Sequence, residues 1–209
     1  MNTLSVKQSV FDFREELQRQ RWDDHRLYHH SRVNQSLHLL SALSFLGSYV
    51  LLFVNSVFAV FIGWIIAMWM RQIGHFFFEP KDFDTVNNLS HESKESIKIG
   101  FNLRRKVILL TLWALIPVLL LISPSFYGLV SPGESWQVYI QNVGGLWLTL
   151  AIGAVLFRTL QLAVQQDPKT GLVWFTKILT DPLHDVKMYH KAPLALLRGE
   201  MIDPMNHVR

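Results

Sequence analysis

Charge is distributed along this chain in blocks, and the blocks draw its outline. No Asp, Glu, Lys or Arg occurs between Arg32 and Arg71, between Lys106 and Glu134, or between Glu134 and Arg158. A membrane-crossing helix needs about 20 predominantly apolar residues. The first gap therefore has room for two spans and each of the others for one. The expected spans are residues 36–54, 56–73, 107–122 and 143–164. Asn55 alone separates the first two, so they form an antiparallel hairpin through a tight turn. Pro117 lies inside the third and should kink it. Gly144, Gly145 and Gly153 allow the fourth to pack closely against a neighbour.

Between these runs the pattern becomes amphipathic. Val6, Val10, Phe13 and Leu17 recur at helical spacing within residues 1–35, which reads as a helix lying on the membrane or packed on the domain. The segment from Ser90 has helical character and is expected to continue directly into the third span. In the tail, residues 167–209, Asp181-Pro182 reads as an N-cap followed by proline at the first helical position. A short helix should run from there toward Lys191, with an interfacial stretch at residues 193–198. The fold class is all-α: a polytopic membrane helical bundle of four transmembrane helices plus amphipathic and interfacial helices, in a single integral-membrane domain over residues 1–209.

Basic residues orient this bundle. Lys and Arg number six in residues 1–35, seven in 71–106 and seven from Arg158 onward, with none at Asn55 or in 123–142. By the positive-inside rule, both termini and the central segment are cytosolic. The membrane would be the inner membrane in a bacterium and the endoplasmic reticulum in a eukaryote. No cleavable signal pattern precedes the first apolar run.

Composition agrees: half the residues are hydrophobic, 17% are charged, and mean hydropathy is +0.20. A net charge of +4 without a nucleic-acid motif fits a basic membrane-facing surface rather than a nucleic-acid partner. There is no cysteine, so thiolate ligands and disulfides are excluded, and a metal would fall to His and oxygen donors.

All nine histidines then fall at or near the cytosolic side, and ionisable groups bordering a span are functional candidates. His30, Asn34 and His38 are spaced i, i+4, i+8 and share a helix face. Eight helical residues rise about 12 Å, whereas a zinc- or iron-type bond to histidine is about 2.0–2.1 Å. His30 and His38 therefore share an ion only by stretching from opposite ends, or if the helix starts after His30. Otherwise one is a ligand and the other its support, and a polar stripe between packed helices is the structural alternative.

His75 and Glu79 stand i, i+4 at the end of the second span, beside Gly74, which allows a close approach. Pro80 disfavours helix at Glu79, so a turn there is equally open. His91, Glu95 and Lys98 share a face in the central segment. His184 and His190 point to different sides of a tail helix, so at most one joins a site. His25, His29 and His207 have no spacing relationship to the others. A cysteine-free, carboxylate-assisted histidine set suits Fe, Zn or Mn, and in a membrane its natural substrate is a lipid chain. No HxxHH repeat of the di-iron hydroxylase and desaturase kind is present.

The stretch from Tyr28-His29-His30 through Asn34 to His38, followed by Gly74-His75 and Glu79, resembles the membrane 2-hydroxy fatty acid dioxygenases of fatty-acid alpha-oxidation. Their pattern is roughly YHxxxxN or HxxxNxxxH and then GHxxFE. The resemblance covers residues 28–79, and implies an enzyme that uses Fe(II) and O2 to shorten a 2-hydroxy fatty acid by one carbon. It implies His30, His38, His75 and Glu79 as site residues, with Asn34 in support. His91 is added as a fourth metal candidate. After Glu79 the chain reads Pro80-Lys81-Asp82-Phe83-Asp84, where that family tends toward Pro-Ala-Leu. Arg71 or Arg104 would hold the substrate carboxylate. The expected partners are a fatty-acid or other lipid substrate, O2 and the membrane. The alternative is a non-enzymatic membrane scaffold or lipid-binding protein with structural histidines.

Overall fold

The computed structural model describes residues 3–79, 81–84, 87–100, 102–133 and 135–204, with side chains from Asp12 onward. The Val6 and Val10 half of the expected N-terminal stripe, and His207, lie outside what is described. All regular structure among the described residues is helical, joined by two isolated bridges, Ser31 with Ile202 and Asp84 with Leu89.

Helix α1 covers Thr3–Tyr28 and α2 covers Arg32–Leu51. Helix α3 runs over Ser56–Phe77, with π-helical turns at Ile62–Met68. Helix α4 is His91–Ile97, α5 Leu103–Ile122 and α6 Trp136–Gln165. Helix α7 is Pro168–Tyr189, and the short α8 is Ala192–Leu197.

Caps explain most of these boundaries. Asn55 makes the tight α2–α3 turn, its side chain accepting the Phe58 amide at 3.0 Å. Asn102 accepts the Arg105 amide at 3.1 Å and starts α5 afresh. This corrects the expected continuous helix from Ser90 into the third span: α4 stops at Ile97, and Gly100 lies in the break. The tail needs a similar correction. Its cap-plus-proline signal operates at Asp167-Pro168, where Asp167 accepts the Thr170 amide at 2.9 Å. Asp181 and Pro182 lie inside α7, and Asp181 makes ion pairs instead of capping.

Three helices are long and apolar enough to cross a membrane: α3, α5 and α6. Their outward faces carry exposed Ile108, Leu112, Val118 and Leu121 on α5 and Ile152, Phe157 and Leu160 on α6. Such a surface is expected where lipid, not water, is the solvent. Helix α2 has the length, but Asn34, Gln35, His38, Ser41 and Ser48 lower its hydropathy, and all five are buried. It packs on α3 and α7.

Two cores result. On one side Trp64, Trp113 and Trp147 meet from α3, α5 and α6, the first pair stacked with centroids 3.9 Å apart. Trp147 also donates from its indole N–H to the Trp113 carbonyl at 3.0 Å. On the other side α7 folds back along α6 and lies across α1 and α2. Gly171 makes that return possible, because a Cβ there would stand 2.6 Å from the Thr159 carbonyl. The second core is polar, and it contains the histidines.

Candidate metal centre

Between α1 and α2 the chain leaves helical geometry for three residues, of which His29 is buried and His30 and Ser31 half-buried, so the carbonyls there need donors. Asn34 Nδ2 donates to the Tyr28 carbonyl at 2.9 Å, and Gln35 Nε2 to the His29 carbonyl at 2.7 Å. The Asp203 amide donates to the His30 carbonyl at 2.8 Å. Two amide side chains of α2 and the C-terminal tail thus hold the linker in place. The neighbouring side chains of His29 and His30 find different partners.

His29 turns inward. Its ring centroid lies 4.3 Å from that of His38 and 5.3 Å from that of His75, and His38 and His75 are 4.8 Å apart. One nitrogen from each of the three falls within 4.8 Å of the others. Among the described residues this is the one cluster of three His or carboxylate groups able to hold a metal ion.

Hydrogen bonds orient all three rings alike. His38 Nδ1 lies 3.0 Å from the Asn34 carbonyl, to which it donates. His75 Nδ1 lies 2.6 Å from Glu79 Oε2. His29 Nδ1 lies 2.9 Å from the Tyr189 hydroxyl. With each Nδ1 engaged, Nε2 is the nitrogen left for a metal, and Nε2 of both His29 and His38 is buried without a hydrogen-bond partner. Metal-bound imidazoles have this arrangement, with the second ring nitrogen tied to a carboxylate, carbonyl or hydroxyl. Two ligands at about 2.0–2.1 Å from one ion stand no more than about 4.2 Å apart. The three nitrogens, all within 4.8 Å of one another, would need only small ring rotations to meet that span. The donor set fits a divalent transition metal.

The pocket excludes bulk. A side chain at Gly74 would collide with Asn34 Oδ1 and approach His38 Cε1 to 3.3 Å. Asn34 Oδ1 itself is buried and has no hydrogen-bond partner. Burial pushes His29 well below the usual imidazole range, helped by neighbouring His38, so it is neutral and able to ligate. Burial likewise raises Glu79, opposed by the Lys98 ammonium 3.6 Å away. The Tyr189 phenol is also raised by burial, and next by Asp185, so it stays a neutral hydroxyl.

Of the residues expected from sequence, His38, His75, Asn34 and Glu79 come together here. Glu79 does so from a bend just after α3, its reach to His75 surviving the end of the helix. His30 does not join them: its Nε2 lies on the Arg26 carbonyl. His91 begins α4 and is not in the trio. His184 is half-buried and His190 exposed, and neither joins the trio. Arg71 lies one turn before His75 and pairs with Asp185 of α7, whereas Arg104 is exposed at the start of α5.

Two members were missed. His29 stands four residues after His25, and its amide donates to the His25 carbonyl at 3.1 Å, so that i, i+4 spacing was a signal left unused; the YHxxxxN form of the pattern also places a histidine at that position. Tyr189 carries no local signal.

A family model described as 2-hydroxy-palmitic acid dioxygenase Mpo1-like matches residues 17–92. That segment, a part of the chain, contains His29, His38, His75, Asn34 and Glu79, and ends before α5. No curated protein and no solved structure matches significantly.

Proposed function

We propose that this protein is an integral-membrane, non-haem iron-dependent dioxygenase-like enzyme that oxidises a lipid chain, a 2-hydroxy fatty acid shortened by one carbon. The observation that carries the reading is the set of three clustered imidazoles, two buried and the third nearly so, each with Nδ1 hydrogen-bonded and Nε2 left for a metal. The match of residues 17–92 to a 2-hydroxy-palmitic acid dioxygenase family supports dioxygenase chemistry and this substrate class.

His29, His38 and His75 would hold the metal. Bound iron(II) supplies Lewis acidity toward a 2-hydroxy acid and one-electron reactivity toward dioxygen. Glu79 keeps the His75 ring in the ligating tautomer, and the Asn34 carbonyl does the same for His38. Asn34 Oδ1, buried and unpaired, accepts a hydrogen bond from the substrate hydroxyl. Arg71, on the His75 face of α3, receives the substrate carboxylate as a charge-assisted pair, with Asp185 holding the guanidinium beforehand. The acyl chain lies along the apolar faces of the spans.

In this proposal α2 crosses the membrane beside α3, making four crossings with α5 and α6 in one domain. Its buried polar stripe faces α3 and α7, and its exposed Leu40, Leu43 and Val50 face lipid. Both termini and the metal site are then cytosolic.

The test is anaerobic loading of the detergent-purified protein with Fe(II), followed by O2 uptake on adding 2-hydroxypalmitate, for the native chain and for His75→Ala. The native protein should bind iron and consume O2, and the variant should do neither. Equal iron in both with no uptake by either would sink the proposal.

A further inference from the structure

The Tyr189 hydroxyl lies 2.9 Å from His29 Nδ1 and 3.1 Å from His25 Nδ1, in a site where both imidazoles and the phenol are buried. A phenol has one proton, so it donates to one of these nitrogens and accepts from the other. Two directions are possible. If Tyr189 donates to His29, then His29 carries its own proton on Nε2, pointing into the cluster. If His29 donates to Tyr189 and Tyr189 donates to His25, then His29 Nε2 presents a lone pair to His38 and His75. Only the second direction leaves a ligand for a metal.

The position of Tyr189 is set by a second contact one turn earlier on α7. Asp185, at i−4 and therefore on the same face, pairs with Arg71 of α3. Arg71 is in turn one turn before His75. The two helices are thus registered against each other at Arg71–Asp185 and at the histidine cluster. His25 stacks on the Tyr189 ring with centroids 5.6 Å apart, which fixes the phenol from the α1 side.

We propose that Tyr189 is a positioning residue of the metal site: its hydroxyl, accepting from His29 Nδ1 and donating to His25 Nδ1, holds His29 in the tautomer that ligates. His38 and His75 receive the equivalent support from residues within four positions in sequence. His29 receives it from a helix outside the segment that resembles the dioxygenase family. The inference rests on the metal-site reading above and extends it to the C-terminal third of the chain.

The test measures Co(II) affinity by its visible absorption, with the full-length protein in detergent. The forms are native, Tyr189→Phe, His29→Ala and the double variant, each with its metal-free melting temperature. Tyr189→Phe keeps the ring and removes the hydroxyl. Loss of such an outer partner typically weakens metal binding about 10–100-fold, and that range is expected here. In the His29→Ala background, Tyr189→Phe should cause no further loss, because the ligand it orients is gone. A packing role would instead lower the metal-free melting temperature and add its effect to that of His29→Ala. Native-like affinity in Tyr189→Phe, or fully additive losses in the double variant, overturns the inference while leaving the metal site standing. A native protein that binds no Co(II) overturns the metal-site reading itself.

Discussion

His29 and His30 are neighbours in the chain and find different partners: Nε2 of His29 faces His38 and His75, while Nε2 of His30 lies on the Arg26 carbonyl. The chain leaves helical geometry at this point, and their ring contacts separate their roles. Paired alanine substitutions read the difference directly. His29→Ala should lose metal and O2 uptake by at least about tenfold. His30→Ala should retain both to within about twofold, because it gives up only a contact to backbone. Metal content by elemental analysis of the two purified variants decides it, and the reverse pattern would refute the assignment.

Glu79 predicts a graded series. Its carboxylate accepts from His75 Nδ1 at 2.6 Å in a nearly enclosed position. Glu79→Gln retains an acceptor and should weaken metal binding less than Glu79→Ala, for which about 10–100-fold is expected. Metal titration of the two variants should give that order; equal affinities would place Glu79 outside the site.

Gly74 is constrained by what it faces. A methyl group at this position meets Asn34 Oδ1 and His38 Cε1. Both belong to a hydrogen-bonded set with little freedom to withdraw. Gly74→Ala should cost about 1–3 kcal/mol through overpacking and displace the His38 ring, reducing O2 uptake more than tenfold. Thermal unfolding in detergent and the uptake assay together check this. Gly145→Ala, with nothing within 4 Å of the added atom, is the neutral control.

Protonation of His184 sets a pH dependence. Burial, with Arg21 next, lowers it from 6.5 to about 4. Between those values the unfolded chain binds a proton at this position that the folded chain does not, so stability rises with pH from about 4 to 6.5 and is level above. His184→Gln removes this contribution alone. The variant's melting temperature should depend less steeply on pH across that window than that of the native protein, and parallel curves would contradict the prediction.

The tail anchors the linker. Asp203 pairs with Arg32 at 2.9 Å and accepts from Gln35 Nε2 at 2.7 Å, while its own amide holds the His30 carbonyl. Removing one partner of a buried pair leaves the other charge uncompensated, a cost of about 3 kcal/mol. Asp203→Ala should therefore destabilise the fold by that order and loosen the segment carrying His29. Denaturant unfolding gives the first, and proteolytic cleavage between Tyr28 and Arg32 the second.

The sequence made the apolar helices legible because lipid imposes both length and composition on a span. Thus α3, α5 and α6 followed from runs without charge. It made His38, His75, Asn34 and Glu79 legible because each lies within one or two helical turns of a partner, where i, i+4 spacing carries information. Helix α2 is harder to read, since buried polar groups serving the site dilute its hydropathy. His29 lies just past the end of α1, and its i, i+4 relation to His25 points to no second helix, so only the folded linker shows that it meets His38 and His75. Tyr189 was hidden by distance: its partner lies 160 residues away, and no periodicity in the chain reports a contact of that range. Asp181-Pro182 misled for a different reason. A sequence that caps a helix in isolation was overridden by Arg21 and Lys177, which draw Asp181 into ion pairs.

The lock formed by α7 also has a consequence for biosynthesis. The residues that would ligate the metal are all translated by His75, while most of the chain is still unmade. Tyr189 and Asp185 arrive only after α5 and α6 have followed. Until then His29 has no partner fixing its tautomer, and Arg71 lacks its counterion. A nascent or prematurely terminated chain would thus carry the ligands without the lock, and metal acquisition would follow synthesis of α7. The order of translation itself would delay oxidative chemistry until the membrane bundle is closed.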